Sequence, residues 1–131
     1  SELESTVIRP RNFEILLFGE VYGYEPDPFA FWHSSQSKDP GLNIVRYSNK
    51  KADQILEDTR RLSDEFRRRE KYQELANIII EDLPAVFLYS QLYLYILPAD
   101  LKGVELNTIS LPSDRFNEIN TWYFKTKRVL K

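Results

Sequence analysis

The side chains best suited to chemistry lie in one segment of the 131-residue chain, between residues 18 and 36. Aromatic rings and carboxylates are mixed there, directly after an apolar run at 13–18. Aromatic faces give large apolar contacts with little loss of side-chain entropy, and a carboxylate can pair with a ligand ammonium group. The pattern predicts a substrate-binding loop, whose candidate residues are Glu20, Tyr22, Tyr24, Asp27 and Trp32.

The same segment also has plainer interpretations. A loop fixed by prolines could place its aromatic rings in its own core, and Asp27, which lies between two prolines, could simply shape a turn. Trp32 is equally compatible with a core position. Two carboxylates in one loop, such as Glu20 and Asp27, could also act as acid and base on a glycoside, so a hydrolase is an alternative.

Other kinds of catalytic or metal chemistry find little support in the sequence. His33 is the only histidine, and no nucleophile-elbow glycine pattern surrounds the serines that follow it. Cysteine is absent, the acidic residues match no EF-hand or zinc motif, and the four glycines form no phosphate-binding loop. We therefore predict no enzyme active site, no metal and no cofactor, and a surface or hydrogen-bonding role for His33.

Charge argues against a nucleic-acid partner, and hydropathy argues against a membrane-spanning helix. The net charge is -2, with basic and acidic residues interspersed, so no single-signed surface is expected to gather nucleic acid. No apolar run reaches the length of a transmembrane helix.

The elements that must position the loop can be predicted from periodicity. The apolar run at 13–18 predicts a strand buried on both faces, whose carboxyl end would present the loop to a crevice. One helical turn is expected around 29–33. Two amphipathic helices follow, one capped by Asn49 and one starting at 63–65 and stopped by Pro84, and they predict a helix hairpin. The apolar face of the second helix is predicted to consist of Phe66, Tyr72, Leu75, Ala76, Ile79 and Leu83.

The rest of the chain changes period. Aromatic and aliphatic runs predict strands at 86–89 and 92–97, as two short strands or one bent strand, and a last strand at 121–124. Tyr89, Tyr93 and Tyr95 alternate along the chain, so they are expected to share one strand face and to pack beneath the helix hairpin.

Several motifs, in a fixed order, resemble the extracellular solute-binding proteins of family 5, the oligopeptide- and dipeptide-binding group. The matching stretches cover most of the chain. They are the strand and loop from Phe13 to Gln36, Gly41-Leu42-Asn43, Tyr47-Ser48-Asn49 at a helix start, Glu81-Asp82-Leu83-Pro84 before an aromatic run, Pro112-Ser113-Asp114-Arg115-Phe116, and Trp122-Tyr123.

The resemblance implies an α/β fold class. The chain would be the carboxy-terminal portion of a type II periplasmic-binding-protein fold, with a mixed sheet and a helix hairpin. Residues 1–91 would form the end of the second lobe, and residues 92–131 a hinge crossing and a return segment to the first lobe.

The resemblance also implies a function. The protein would be the substrate-binding component of an ATP-binding-cassette importer, capturing a peptide or another small solute between two lobes for delivery to a membrane permease. It would be extracellular or periplasmic, and its full-length form could carry a lipid anchor. The family's acidic position for the peptide amino terminus is filled here near Val21 or Tyr22, with Glu20 before it, which places amine recognition in doubt.

This interpretation implies two further partners, and one alternative function remains open. The binding cleft would need the amino-terminal portion of the same protein, and a fragment whose strands lack partners is expected to self-associate. The alternative is a stand-alone interaction domain that uses the segment 18–36, the aromatic loop, to contact another protein.

Overall fold

The structure is a computed structural model that describes residues 1–23, 27–105 and 109–125. Its two longest elements are antiparallel helices. Helix α2 spans Lys50–Arg61 and helix α3 spans Glu65–Asp82, and the hairpin predicted from periodicity is confirmed. A short helix α1 spans Phe29–Trp32, as predicted for this turn. Short helical turns lie at Glu4–Ile8, Ser34–Gln36, Pro112–Phe116 and Ile119–Thr121.

Both long helices begin where the sequence predicts. The Asn49 side chain accepts hydrogen bonds from the backbone N–H groups of Lys51 and Ala52, and Asp64 does the same at the start of α3. Leu83 adopts a left-handed conformation after α3, ahead of Pro84. None of the helices in the described residues is long and apolar enough to cross a lipid bilayer.

The chain divides into two units. The first comprises Ser1–Glu20 and Pro26–Leu88, and the second comprises Val21–Glu25 and Tyr89–Lys131. The predicted assignment of 1–91 and 92–131 to two lobes of a larger protein stays a prediction.

The core of the first unit lies between the helix hairpin and the segment from Phe29 to Tyr47. Leu56 and Ala52 of α2 are fully buried, and Leu75 and Ile79 of α3 pack against them. Phe66, predicted for the buried face of α3, is instead 71% exposed, because it lies in the first helical turn beyond this core. The buried stripe of α3 is therefore shorter than the sequence pattern predicts.

Asn43 fixes the segment between α1 and α2. It is fully buried, and its side-chain amide donates to the backbone oxygens of His33 (3.1 Å) and Tyr47 (2.9 Å). Its side-chain oxygen accepts from the N–H of Tyr47 at 2.9 Å. One polar side chain therefore satisfies three backbone groups that would otherwise be buried without partners.

The strands predicted at 13–18, 86–89 and 92–97 are wrong for this structure. None of the three segments makes a strand pairing within the described residues. Their apolar side chains are exposed, as shown by Ile15 at 93% and Leu92 at 98%. A strand is stable only when a neighbouring backbone accepts and donates its hydrogen bonds, and no described backbone pairs with these three segments as a strand.

The second unit holds the only sheet among the described residues. Strand β1 (Leu101–Lys102) pairs antiparallel with β2 (Tyr123–Phe124), which confirms the end of the strand predicted at 121–124. Tyr95 packs against Tyr93, Phe116 and Trp122. Tyr89 is exposed, so the prediction that alternating tyrosines pack beneath the helix hairpin is wrong.

Tyr47 and Asn49 connect the start of α2 to the end of α3. The Tyr47 hydroxyl donates to Asp82 Oδ2 at 2.6 Å, and Asn49 Nδ2 donates to the same oxygen at 2.7 Å. These hydrogen bonds lower the pKa of Asp82 below its ordinary value. Burial, together with the hydrogen bond to Asp82, raises the pKa of Tyr47, which therefore stays a protonated donor at neutral pH.

We predict that Asn43→Ala lowers the free energy of unfolding by about 2 to 4 kcal/mol, because three hydrogen bonds are lost and buried backbone groups lose their partners. Urea unfolding followed by circular dichroism measures this change. Asn77→Ala, at an exposed position on α3, is the control and is expected to change stability by less than about 0.5 kcal/mol. Equal effects at the two positions would contradict the role given to Asn43.

We also predict a pH-dependent effect of Tyr47→Phe. Because the folded pKa of Asp82 lies below its unfolded value, its hydrogen bonds stabilise the fold above about pH 4 and are lost as the pH falls through the folded pKa. The variant should be less stable than the parent at pH 7, and the difference should shrink at about pH 2. Urea unfolding at both pH values tests this, with Tyr89→Phe as an exposed control. A difference that does not change with pH would contradict it.

Candidate functional site

The five predicted substrate-binding residues do not form one cluster in the described structure. Tyr24 lies outside the described residues. Glu20 is half-buried in the first unit and Tyr22 is half-buried in the second. Asp27 and Trp32 lie at the two ends of α1. A binding role for each of them stays a prediction, and their surroundings show what else they do.

Asp27 starts helix α1 and pairs with helix α2. One carboxylate oxygen accepts from the N–H of Phe29 at 3.1 Å, and the other lies 3.1 Å from Nε of Arg60. The Arg60 guanidinium stands over the Phe29 ring, 4.3 Å from its centroid. The turn-shaping role considered for Asp27 therefore describes its contacts here, and its charge is offset by that of Arg60.

Trp32 occupies the core of the first unit. It is 6% exposed and contacts Tyr47 edge to face, with ring centroids 6.0 Å apart. Its ring also lies 5.8 Å from that of Phe87, which is itself 60% exposed. Trp32 thus joins the loop to the helix hairpin, the core position that the sequence left open.

The turn after α1 is fixed by a charged residue of α2. Asp53 accepts from the N–H of Ser34 at 2.9 Å and from the Ser34 hydroxyl at 2.6 Å. Asp53, Glu57 and Arg60 lie three or four residues apart, which places them on one face of α2, toward this turn. This spacing is the signal by which sequence reasoning could have found Asp53 and Arg60, which it missed.

His33 is buried, which differs from a surface position, and it makes the hydrogen bonds also predicted for it. Its Nδ1 accepts from the N–H of Ser35 at 3.1 Å and lies 2.8 Å from the Ser35 hydroxyl. Its Nε2 is 3.5 Å from Glu57 and 3.9 Å from Asp53, too far for hydrogen bonds of good geometry.

This serine, histidine and carboxylate grouping is local. The pairing of Ser35 with His33 spans two residues and caps the turn Ser34–Gln36. The described residues also contain no group of three or more histidine and acidic side chains arranged to hold a metal ion. The geometry around α1 thus supports positioning of the loop by α2, with aromatic and carboxylate groups at its start.

Comparison with known proteins identifies the group to which this arrangement is related. The oligopeptide-binding protein AppA of Bacillus subtilis is 30% identical over 112 residues, 86% of this chain. The probable D,D-dipeptide-binding periplasmic protein DdpA of Escherichia coli is 29% identical over 84 residues, 62% of this chain. No family model matches the chain.

The solved structure of AppA from Bacillus subtilis in complex with a nonapeptide matches this one with a TM-score of 0.50 and 31% sequence identity, over 78% of this chain. The resemblance to the family 5 solute-binding proteins is confirmed. The predicted fold class is confirmed with it, since the match is to a peptide-binding protein of that fold. The chain covers about a fifth of AppA, at 20% of its sequence and 19% of the solved chain.

Several residues of the family 5 motifs make hydrogen bonds within the first unit. Asn43, Tyr47, Asn49 and Asp82 belong to the motifs that carry the resemblance, and all four make the hydrogen bonds that fix the loop and the helix hairpin. These motifs of the family therefore have a structural role in this chain. Both curated relatives are named as binding proteins.

We predict that Asp53→Ala destabilises the chain by about 1 to 3 kcal/mol, because two hydrogen bonds from Ser34 to a carboxylate are lost. The emission of Trp32, two residues before Ser34, should shift to longer wavelength as its surroundings loosen; Trp122 is the other tryptophan, so the shift is measured in a Trp122→Phe background. Asp58→Ala on the same helix, where the carboxylate contacts only Gln54 in the hydrogen bonds described, is the control. Equal effects of the two variants would contradict the proposed role of Asp53.

Proposed function

We propose that this chain is part of the substrate-binding component of an ATP-binding-cassette importer, that it has no enzymatic activity, and that it acts outside the cytoplasmic membrane. The observation that carries the proposal is the structural match, at 31% identity, to a peptide-binding protein solved with a nonapeptide. A peptide is therefore the first solute to test. Delivery to a membrane permease follows from the same proposal.

The proposed mechanism is capture between two lobes. Residues 1–91 would belong to the second lobe and residues 92–131 to the hinge crossing and the return segment, so a complete cleft needs chain beyond the fifth that is present. Ligand contacts come from the segment that follows residues 13–18. Closure of the lobes on the solute would then distinguish the loaded from the empty protein.

Within the loop, the structure supports a division of roles. Glu20 and Tyr22 are half-buried and lie at the start of the loop, and together with Tyr24 they are the proposed ligand contacts. Asp27 pairs with Arg60, and Trp32 packs in the core. We therefore assign both a supporting role in the loop, with contact to a solute only at the edge of the site. A carboxylate at Glu20 would favour a peptide amino terminus.

The function is tested on the protein that carries this chain, purified from its host. Native mass spectrometry should detect co-purified peptides, released on denaturation. Glu20→Gln should weaken rebinding of a nonapeptide by about tenfold, the loss of one charge-assisted hydrogen bond. Glu65→Gln, an exposed acidic residue at the start of α3, is the matched control.

Two results would contradict the proposed function, and a third would contradict only the role of Glu20. A bound protein partner without any small solute would favour the interaction domain that the aromatic loop also allows. Turnover of a glycoside that stops in the Glu20→Gln variant would favour a hydrolase. Unchanged peptide affinity in Glu20→Gln would remove this residue from the site while leaving peptide binding itself intact.

A further inference from the structure

A second candidate site lies in the first unit, away from the aromatic loop. A pocket of about 410 Å³ is lined by Arg9, Pro10, Arg11, Ser37, Lys38, Asp39 and Arg46. Its volume is at the lower end of the range found for small-molecule sites. Four of these residues are cationic and one is acidic, which gives a local excess of three positive charges in a chain whose net charge is -2.

The arginines form the walls of this pocket through fixed contacts. Arg11 donates from Nη1 to the backbone oxygen of Ile8 at 2.7 Å and from Nη2 to that of Gly41. Arg46 donates from Nη2 to the backbone oxygen of Pro10 at 3.1 Å. Two guanidinium groups from distant parts of the sequence are therefore held in place before any ligand binds, and such preorganisation lowers the entropic cost of binding.

Lys38 is the lining cation whose charge the described residues leave unpaired. The Nε–H of Arg11 is buried and makes no hydrogen bond within the described part of the chain. Lys38 is exposed and forms no ion pair among the described residues. An exposed ammonium group beside two fixed guanidinium groups can take a bound anion as its partner.

The backbone of both wall arginines is also unusual. Arg11 has φ of 59° and Arg46 has φ of 56°, the left-handed region that side chains other than glycine seldom adopt. Such conformations persist only where the surroundings enforce them, and they cluster at ligand-binding sites. Both of these residues line the same pocket.

We propose that this pocket binds a small oxyanion, a phosphate or a carboxylate group, held by Arg11, Lys38 and Arg46. The planar guanidinium matches both groups in a bidentate manner, and the lysine ammonium adds a point charge. Arg9 is already paired with Glu4 at 2.9 Å. It therefore adds to the electrostatic potential around the pocket but is not one of the residues that hold the anion. This site is independent of the proposed peptide site, because none of its residues belongs to the aromatic loop.

The probe is inorganic phosphate, added to this chain without peptide, and the measurement is isothermal titration at constant ionic strength. We expect saturable binding at one site. Lys38→Gln and Arg46→Gln should each weaken it by about tenfold, the effect of one charge-assisted hydrogen bond. Arg67→Gln, which removes an exposed charge on α3, should change the affinity less than about twofold.

Lys38→Gln keeps the test independent of folding, because Lys38 is exposed and holds no wall of the pocket. Competition by acetate identifies a carboxylate as the source of the oxyanion, and binding of phosphate without competition by acetate identifies a phosphate. Both results support the site. Absence of saturable phosphate binding would overturn the proposal, as would an equal loss in Arg67→Gln, which would reveal only diffuse charge attraction.

Discussion

The structure of the first unit depends on one buried side chain, Asn43. Residues 33–49 lie between α1 and α2 and are irregular apart from the turn Ser34–Gln36, and their backbone groups need partners once helices cover them. Asn43 supplies three of these partners from a fully buried position. With Asn43 in place, Tyr47 reaches Asp82, Trp32 packs against Tyr47, and the turn at Ser34 meets Asp53. A hydrogen-bonded polar group thereby fixes an irregular segment more specifically than apolar burial alone would.

The exposed segments with strand-type sequences differ from the helices in what they need in order to form. Residues 13–18 and 86–97 are mostly apolar, and they make no sheet within the described chain. Their composition is typical of strands, because they are rich in aromatic and aliphatic residues, which suit a pleated, half-buried surface. The helices satisfy their own backbone, so they form from local sequence. Strands take their hydrogen bonds from other segments, and the chain covers only about a fifth of the relatives that it matches.

The two candidate sites differ in how they are built. The aromatic loop begins with Glu20 and Tyr22 and is supported further along by α2, whose acidic and basic residues hold Asp27 and Ser34. The cationic pocket is made from three short stretches around residues 10, 38 and 46, which the arginines themselves connect. Asp27 and Ser34 in the first site, and Arg11 and Arg46 in the second, are fixed by hydrogen bonds or ion pairs to other segments, so the geometry of these four residues does not depend on a strand.

The sequence by itself determined the helix hairpin, its caps at Asn49 and Asp64, the turn around Phe29 and the family resemblance. Each of these depends on residues close together in the chain or on the order of motifs. The tertiary structure alone decided that Trp32 packs in the core, that Asp27 pairs with Arg60, and that four cations line one pocket. It also decided that the apolar runs are not strands. These outcomes rest on contacts between residues far apart in sequence, and neither periodicity nor composition carries information about such contacts.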